Sequence, residues 1–170
     1  MDIQTHEVAA PRVKVVGNKV EPEDGNAQFV AAAMQALGTN DRELAVVLVN
    51  FLVGAQGKIK QGREPYINAA LSAVSQLHPQ DIAEALLISQ MVAVHANAMS
   101  LLAEAVNEDF PPLKERQFSL FLKLARVFVA QFDALRKYRK TEQTTNIGNL
   151  NISGDGKAIV GNFGNSPERS

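Results

Sequence analysis

Two apolar repeats joined by a double proline govern what this 170-residue chain can become. Residues 79–107 open on Pro79 and carry two adjacent stripes at heptad spacing. One is Leu87, Met91, Val94, Ala98, Leu101 and Ala105, and the other is Ile88, Val92, His95, Met99, Leu102 and Val106. Residues 113–140 repeat Phe118, Phe121, Ala125, Phe128, Phe132 and Leu135 at alternating intervals of three and four. Apolar positions at that interval fall on one side of an α-helix. The first segment makes a helix of roughly 43 Å at 1.5 Å per residue. Its two stripes require two neighbours, which places it in the middle of a bundle. Phe110-Pro111-Pro112 breaks the chain between the segments, and so short a link predicts antiparallel neighbours. Charge agrees with the pairing. Residues 81–109 hold five acids (Asp81, Glu84, Glu104, Glu108, Asp109) and no Lys or Arg, whereas residues 113–140 hold eight bases against Glu115 and Asp133, a balance of +6.

The rest of the chain is read around this pair. A helix fits 26–37 and stops at Gly38. Asn40 and Glu43 have capping-box spacing and open a second helix to about 56. Its apolar residues, Leu44, Val46 to Val49 and Phe51 to Val53, point nearly all round, which predicts a central, buried helix. A buried strand is the alternative its β-branched residues leave. Residues 57–64 form a basic loop. Pro65 then suits the first turn of a third helix with Ile67, Leu71, Val74 and Leu77 on one face. Residues 1–25 mix proline, glycine and charge around Val13-Lys14-Val15-Val16, the pattern of a mobile arm with a short strand. Past residue 140 the period becomes strand-like. Thr145 to Ile152, the turn Ser153-Gly154-Asp155-Gly156 and Lys157 to Phe163 read as a β-hairpin over 141–163, followed by a disordered tail at 164–170. The expected fold is therefore mainly α: a helical bundle over 26–140 with a long antiparallel helix pair, and a C-terminal β-hairpin.

Composition narrows the function classes. The net charge of −1 argues against a polyanion mimic or a nucleic-acid sponge, and the absence of cysteine removes disulfides, thiolate nucleophiles and cysteine-based metal sites. The N-terminus lacks the basic and apolar regions of a signal peptide, and no unbroken run reaches the ~18 apolar residues of a membrane span. A soluble, cytoplasmic protein with no membrane partner is expected. No Walker loop, dinucleotide fingerprint, nucleophile elbow or zinc-protease helix is present. His95, with Met91 and Met99 four residues to either side, reads as a buried core histidine among space-filling methionines rather than a ligand set. No catalytic, cofactor-binding or metal-ligating residue is assigned.

Two segments remain as candidate surfaces. The run Arg136-Lys137-Tyr138-Arg139-Lys140 suits a helix C-terminus, where cations complement the dipole, and the same bases Arg136, Lys137, Arg139 and Lys140 suit phosphate contacts. The 141–163 hairpin is too small to fold alone. Leu150, Ile152, Ile159, Val160 and Phe163 would supply its apolar contacts, either folded back on the bundle or paired between subunits.

The order Gln90-Met91-Val92-Ala93-Val94-His95, then Asp133-Ala134-Leu135-Arg136-Lys137-Tyr138-Arg139, then Gly156-Lys157-Ala158-Ile159-Val160-Gly161-Asn162 resembles a family of small uncharacterised bacterial proteins. There an AQMxAVH helix precedes an ALxRYR helix end and a GGQAIVGNV tail. The resemblance spans roughly residues 35–163 and implies a bacterial origin but no activity. This chain departs from it twice: the family's VxVxHVxV strand is here Thr145 to Ile152, without the histidine, and Gly156-Lys157 replaces Gly-Gln. Taken together, the sequence predicts a non-catalytic homo-oligomer that self-associates partly through its C-terminal hairpin. The rival expectation is a phage-like DNA-binding packaging or regulatory factor.

Overall fold

The computed structural model describes residues 10–57 and 62–145, with side chains to residue 141. Two short strands, β1 (Val13–Val16) and β2 (Lys19–Pro22), precede five helices: α1 (Asn26–Ala36), α2 (Arg42–Ala55), α3 (Glu64–Gln76), α4 (Ile82–Val106) and α5 (Pro111–Thr145). The mainly helical class and the long helix pair are as expected. A small hairpin stands near the N-terminus, in the segment the sequence reads as a mobile arm with a short strand. Within the described residues, 141–145 continue α5, and the rest of the expected C-terminal hairpin lies outside them.

The N-terminal hairpin is fastened by helix side chains. β1 and β2 pair antiparallel with Val15 opposite Val20, and Gly17 turns the chain at φ 63°. In this register Val13 and Val15 point their backbone groups away from β2, where an edge strand would leave them unpaired. Two α3 residues one turn apart take those groups up. Asn68 accepts from Val13 N at 2.9 Å and donates to Val13 O at 2.9 Å, while Glu64 accepts from Val15 N at 2.9 Å. Asn68 thus stands in for a strand residue, and the docking carries Val13 into the core.

Helix caps follow local chemistry, with two shifts from the sequence reading. The α2 cap is Asp41, not Asn40: its carboxylate accepts from Leu44 N at 3.0 Å. α4 begins after Asp81, which accepts from Glu84 N at 2.9 Å, so Pro79 belongs to the preceding turn. Nor is α2 buried all round. Ala45, Leu48, Val49 and Leu52 face the core, but Val47 and Phe51 are exposed. The hydrophobic sequence masked an ordinary one-faced helix.

The core joins Leu37, Leu48, Leu52, Ile67, Leu71, Val74, Ile88, Met91 and Leu135. Gly38 ends α1 at φ 60°, where a Cβ would overlap the Pro79 carbonyl oxygen. The α1–α2 and α3–α4 turns therefore touch backbone to backbone, and only glycine fits. α5 lies antiparallel along α4: Gln117 near its start reaches Glu104, and Tyr138 near its end reaches Asp81. At about 1.5 Å per residue, α5 extends roughly 52 Å.

Two substitutions test this frame. Asn68→Ala leaves two β1 groups unpaired and is expected to lower stability by about 2 kcal/mol, with amide exchange at Val13 accelerating more than exchange in α4. Gly38→Ala combines left-handed strain with the Pro79 overlap and is expected to cost roughly 2 kcal/mol or more in urea unfolding.

Candidate interaction surface

The proximal end of the long pair is locked by one guanidinium. Glu84, in the first turn of α4, has its side chain fully enclosed. Arg139 grips it bidentately, Nε to Oε1 and Nη2 to Oε2, both at 2.8 Å. Gln80 N donates to the same carboxylate at 3.0 Å. Arg139 Nη2 also donates to Leu77 O at 2.8 Å, capping the C-terminus of α3. His78 supports that arrangement from a left-handed conformation, φ 46°. Tyr138 Oη adds a hydrogen bond to Asp81 at 2.9 Å. The hydrogen bonds from Arg139 hold the Glu84 carboxyl below its ordinary value of 4.5 against the opposing effect of burial.

This geometry divides the basic run. Arg139 is spent inside the fold, and Tyr138 is engaged with Asp81. Arg136 lies 3.7 Å from Asp133 in its own helix. Lys137 and Lys140 are exposed. The four bases Arg136, Lys137, Arg139 and Lys140 do not converge as one cationic patch, because Arg139 turns inward. Leu150, Ile152, Ile159, Val160 and Phe163 lie outside the described residues.

His95 corrects the sequence reading: it is exposed, not buried. Its ring sits 5.2 Å from Phe128, which in turn stacks on Phe132 at 6.5 Å. This row marks an apolar face that sequence reasoning missed. The α5 seam against α4 is Gln117, Phe121, Leu124, Phe128, Gln131 and Leu135, all at least partly buried. A second heptad stripe, Phe118, Leu122, Ala125, Val129 and Phe132, runs about 100° round the helix. Its large residues are bare: Phe118 is 36%, Leu122 50%, Val129 60% and Phe132 45% exposed.

α4 continues the same face. Ala85, Val92, Met99 and Val106 occupy one heptad position. Ala85 is 0% exposed under the short helices, but Met99 is 48% and Val106 62% exposed. The core cluster reaches α4 only as far as Val92 and α5 only from Phe128 onward. On α4 the cover therefore stops near Val92 while the apolar pattern continues to the tip, where Phe110 and Leu113 are also exposed, and on α5 the second stripe stays bare even past Phe128, at Val129 and Phe132. The signal was present in the sequence as Leu122 and Val129, apolar residues that fall outside the repeat Phe118, Phe121, Ala125, Phe128, Phe132 and Leu135.

By length and composition alone, α4 could cross a membrane, with 28% of its most apolar window buried. Its Ile, Leu, Val, Met and Ala residues give it that hydropathy, while Ser89, Gln90, His95, Asn97 and Ser100 interrupt the apolar run, which is why run length alone passed over it. Among the described residues, no group of three His, Asp or Glu is placed to hold a metal. No family model, curated protein or solved structure matches the chain.

Arg139→Ala would leave Glu84 enclosed without its partner. Because Arg139 itself is partly solvated, the expected cost is about 2–3 kcal/mol, below that of a fully buried pair. Glu84 has a lower pKa folded than unfolded, so its contribution is complete above pH 4.5 and is lost as pH falls through the lowered folded value. Urea midpoints measured from pH 6 downward are expected to fall in that acid range, and the fall to be smaller in Glu84→Gln.

Proposed function

We propose that this protein is a non-catalytic assembly protein whose α4–α5 hairpin binds another helical surface to form an oligomer. The observation that carries this reading is the bare half of a heptad-patterned face. Lone exposed apolar residues are ordinary on protein surfaces, but a contiguous face of large side chains marks an interaction site. Heptad spacing fits a helical partner, because knobs at that interval meet the grooves of another helix. The basic run contributes to fold stability through Arg139, whose guanidinium is engaged with Glu84 and Leu77 O instead of being presented for phosphate contacts. The C-terminal segment, through Leu150, Ile152, Ile159, Val160 and Phe163, is proposed as a second, auxiliary contact in the assembly.

Light scattering tests the reading on full-length protein and on a chain ending at Thr145. Full-length protein is expected to exceed the monomer mass, with the shortened chain associating more weakly. Leu122→Glu and Val129→Glu place charge on side chains already at least half exposed. They are expected to weaken association at least 100-fold while leaving the helical circular dichroism signal unchanged. Ser119→Glu, off the stripe, is expected to have little effect. A wild-type chain that stays monomeric at high concentration overturns the proposal.

A further inference from the structure

We infer that the cleft between the N-terminal hairpin, α1 and α2 binds a medium-chain carboxylic acid, its aliphatic chain along α2 and its carboxylate on Arg42. The cleft shares no residue with the bare α4–α5 face, and the assembly reading does not depend on it. It encloses about 300 Å³, at the small end for ligand sites. Arg42, Val46, Val49 and Val53 follow one another at intervals of four, three and four, so they form one row along α2. Phe29 and Val30 of α1 and Val20 and Pro22 of β2 complete the walls. These wall residues are half-buried, neither enclosed in the core like Leu48 nor bare like Phe51. The hairpin hangs from α3, through Asn68 and Glu64, and that attachment sets how closely β2 can approach α2.

Polarity selects the head group. Arg42 stands at one end of the row, exposed, and among the described residues its side chain makes no ion pair or hydrogen bond. No acid lines the cleft among those residues, and the neighbouring Asp41 carboxylate is turned to the Leu44 amide. The other polar groups of the lining, Asn26 and Asn50, are neutral. A free guanidinium at the end of an apolar trough is complementary to an anion with an aliphatic tail, and its fork can donate to both oxygens of a carboxylate. Length is limited in two ways that agree. From Arg42 to Val53 the row runs about 16 Å, and an extended chain of ~1.5 Å bonds advances roughly 1.3 Å per carbon, which gives about twelve carbons. The 300 Å³ volume, at about 30 Å³ for each water-sized group, admits about ten.

Isothermal titration calorimetry of decanoate into the full-length protein, below the micelle concentration, tests the site. Saturable binding of one decanoate per chain is expected. Hexanoate is expected to bind roughly tenfold more weakly or worse, because it buries fewer methylenes. Decan-1-ol, which keeps the tail without the charge, is expected to lose about tenfold, and Arg42→Gln to lose about as much for decanoate with its circular dichroism unchanged. Val46→Phe, which fills the cleft, is expected to abolish binding. The pair Leu122→Glu with Val129→Glu is expected to bind decanoate like the wild type, since it alters only the α4–α5 face. Absence of saturable binding overturns the inference, as does decan-1-ol binding as tightly as decanoate. Binding that survives both Arg42→Gln and Val46→Phe but is lost with Leu122→Glu and Val129→Glu moves the ligand to the α4–α5 face and overturns it too. The assembly reading is judged by light scattering without ligand, so either can fail while the other stands.

Discussion

The carboxylate of Glu84 is the point on which the arrangement of helices turns. It sits where α3 ends, α4 begins and α5 returns, and Arg139 binds it while capping the Leu77 carbonyl. A buried carboxylate is tolerated only when its charge and lone pairs are met. Here a guanidinium and the Gln80 amide meet them, so α5 has one favourable depth and rotation along α4. That rotation turns Phe121, Phe128 and Leu135 toward α4 and leaves Phe118, Leu122, Val129 and Phe132 outward. The bare stripe is thus a consequence of where the ion pair fixes the helix.

Much of the architecture was legible because periodicity and punctuation are local signals. The two long helices, the proline break, the Gly38 stop and the α3 face of Ile67, Leu71 and Val74 all follow from spacing. The rotation of α5 was not legible. Its inward seam includes Gln117 and Gln131, polar side chains in positions where a hydrophobic pattern expects apolar ones. Choosing apolar residues substitutes Phe118 and Phe132 for Gln117 and Gln131, and keeping strict three-four spacing between them then takes Ala125 in place of Leu124, which merges two stripes into one. The exposure of His95 has the same origin. Its heptad predecessor Ile88 is buried, but the cover ends between the two, and where a cover ends depends on the lengths of other helices. The pairing of β1 with Asn68 and Glu64 also escapes a sequence reading, because it joins positions about fifty residues apart through side-chain amide and carboxylate groups.

The basic segment shows how charge can mislead when counted without geometry. Eight bases against two acids along 113–140 suggested a helix complementary to an acidic neighbour. The structure concentrates that complementarity at one enclosed contact, Arg139 with Glu84. Exposed pairs such as Arg136 with Asp133, 3.7 Å apart, add little in water. One bidentate contact to an enclosed carboxylate can fix the pose of a helix where many exposed charges cannot.

The distal half of the α4–α5 pair then poses an energetic question that the monomer leaves open. α5 contacts α4 far more extensively than any other element, so beyond the core cluster its stability rests on a single antiparallel seam containing Gln117. A two-helix hairpin with one seam covers only part of each helix's apolar surface. Each large side chain left half exposed forgoes on the order of 1 kcal/mol of available burial. In a four-helix arrangement each helix has two seams about a quarter-turn apart, and the second stripe of α5 lies about 100° from its first. α4 shows the same pairing of stripes, and under the short helices both are already filled. The tip of the hairpin therefore carries a second apolar stripe on each helix that stays largely exposed, at Phe118, Leu122 and Val129 of α5 and at Met99 and Val106 of α4, where the short helices fill the equivalent positions of α4 at the other end.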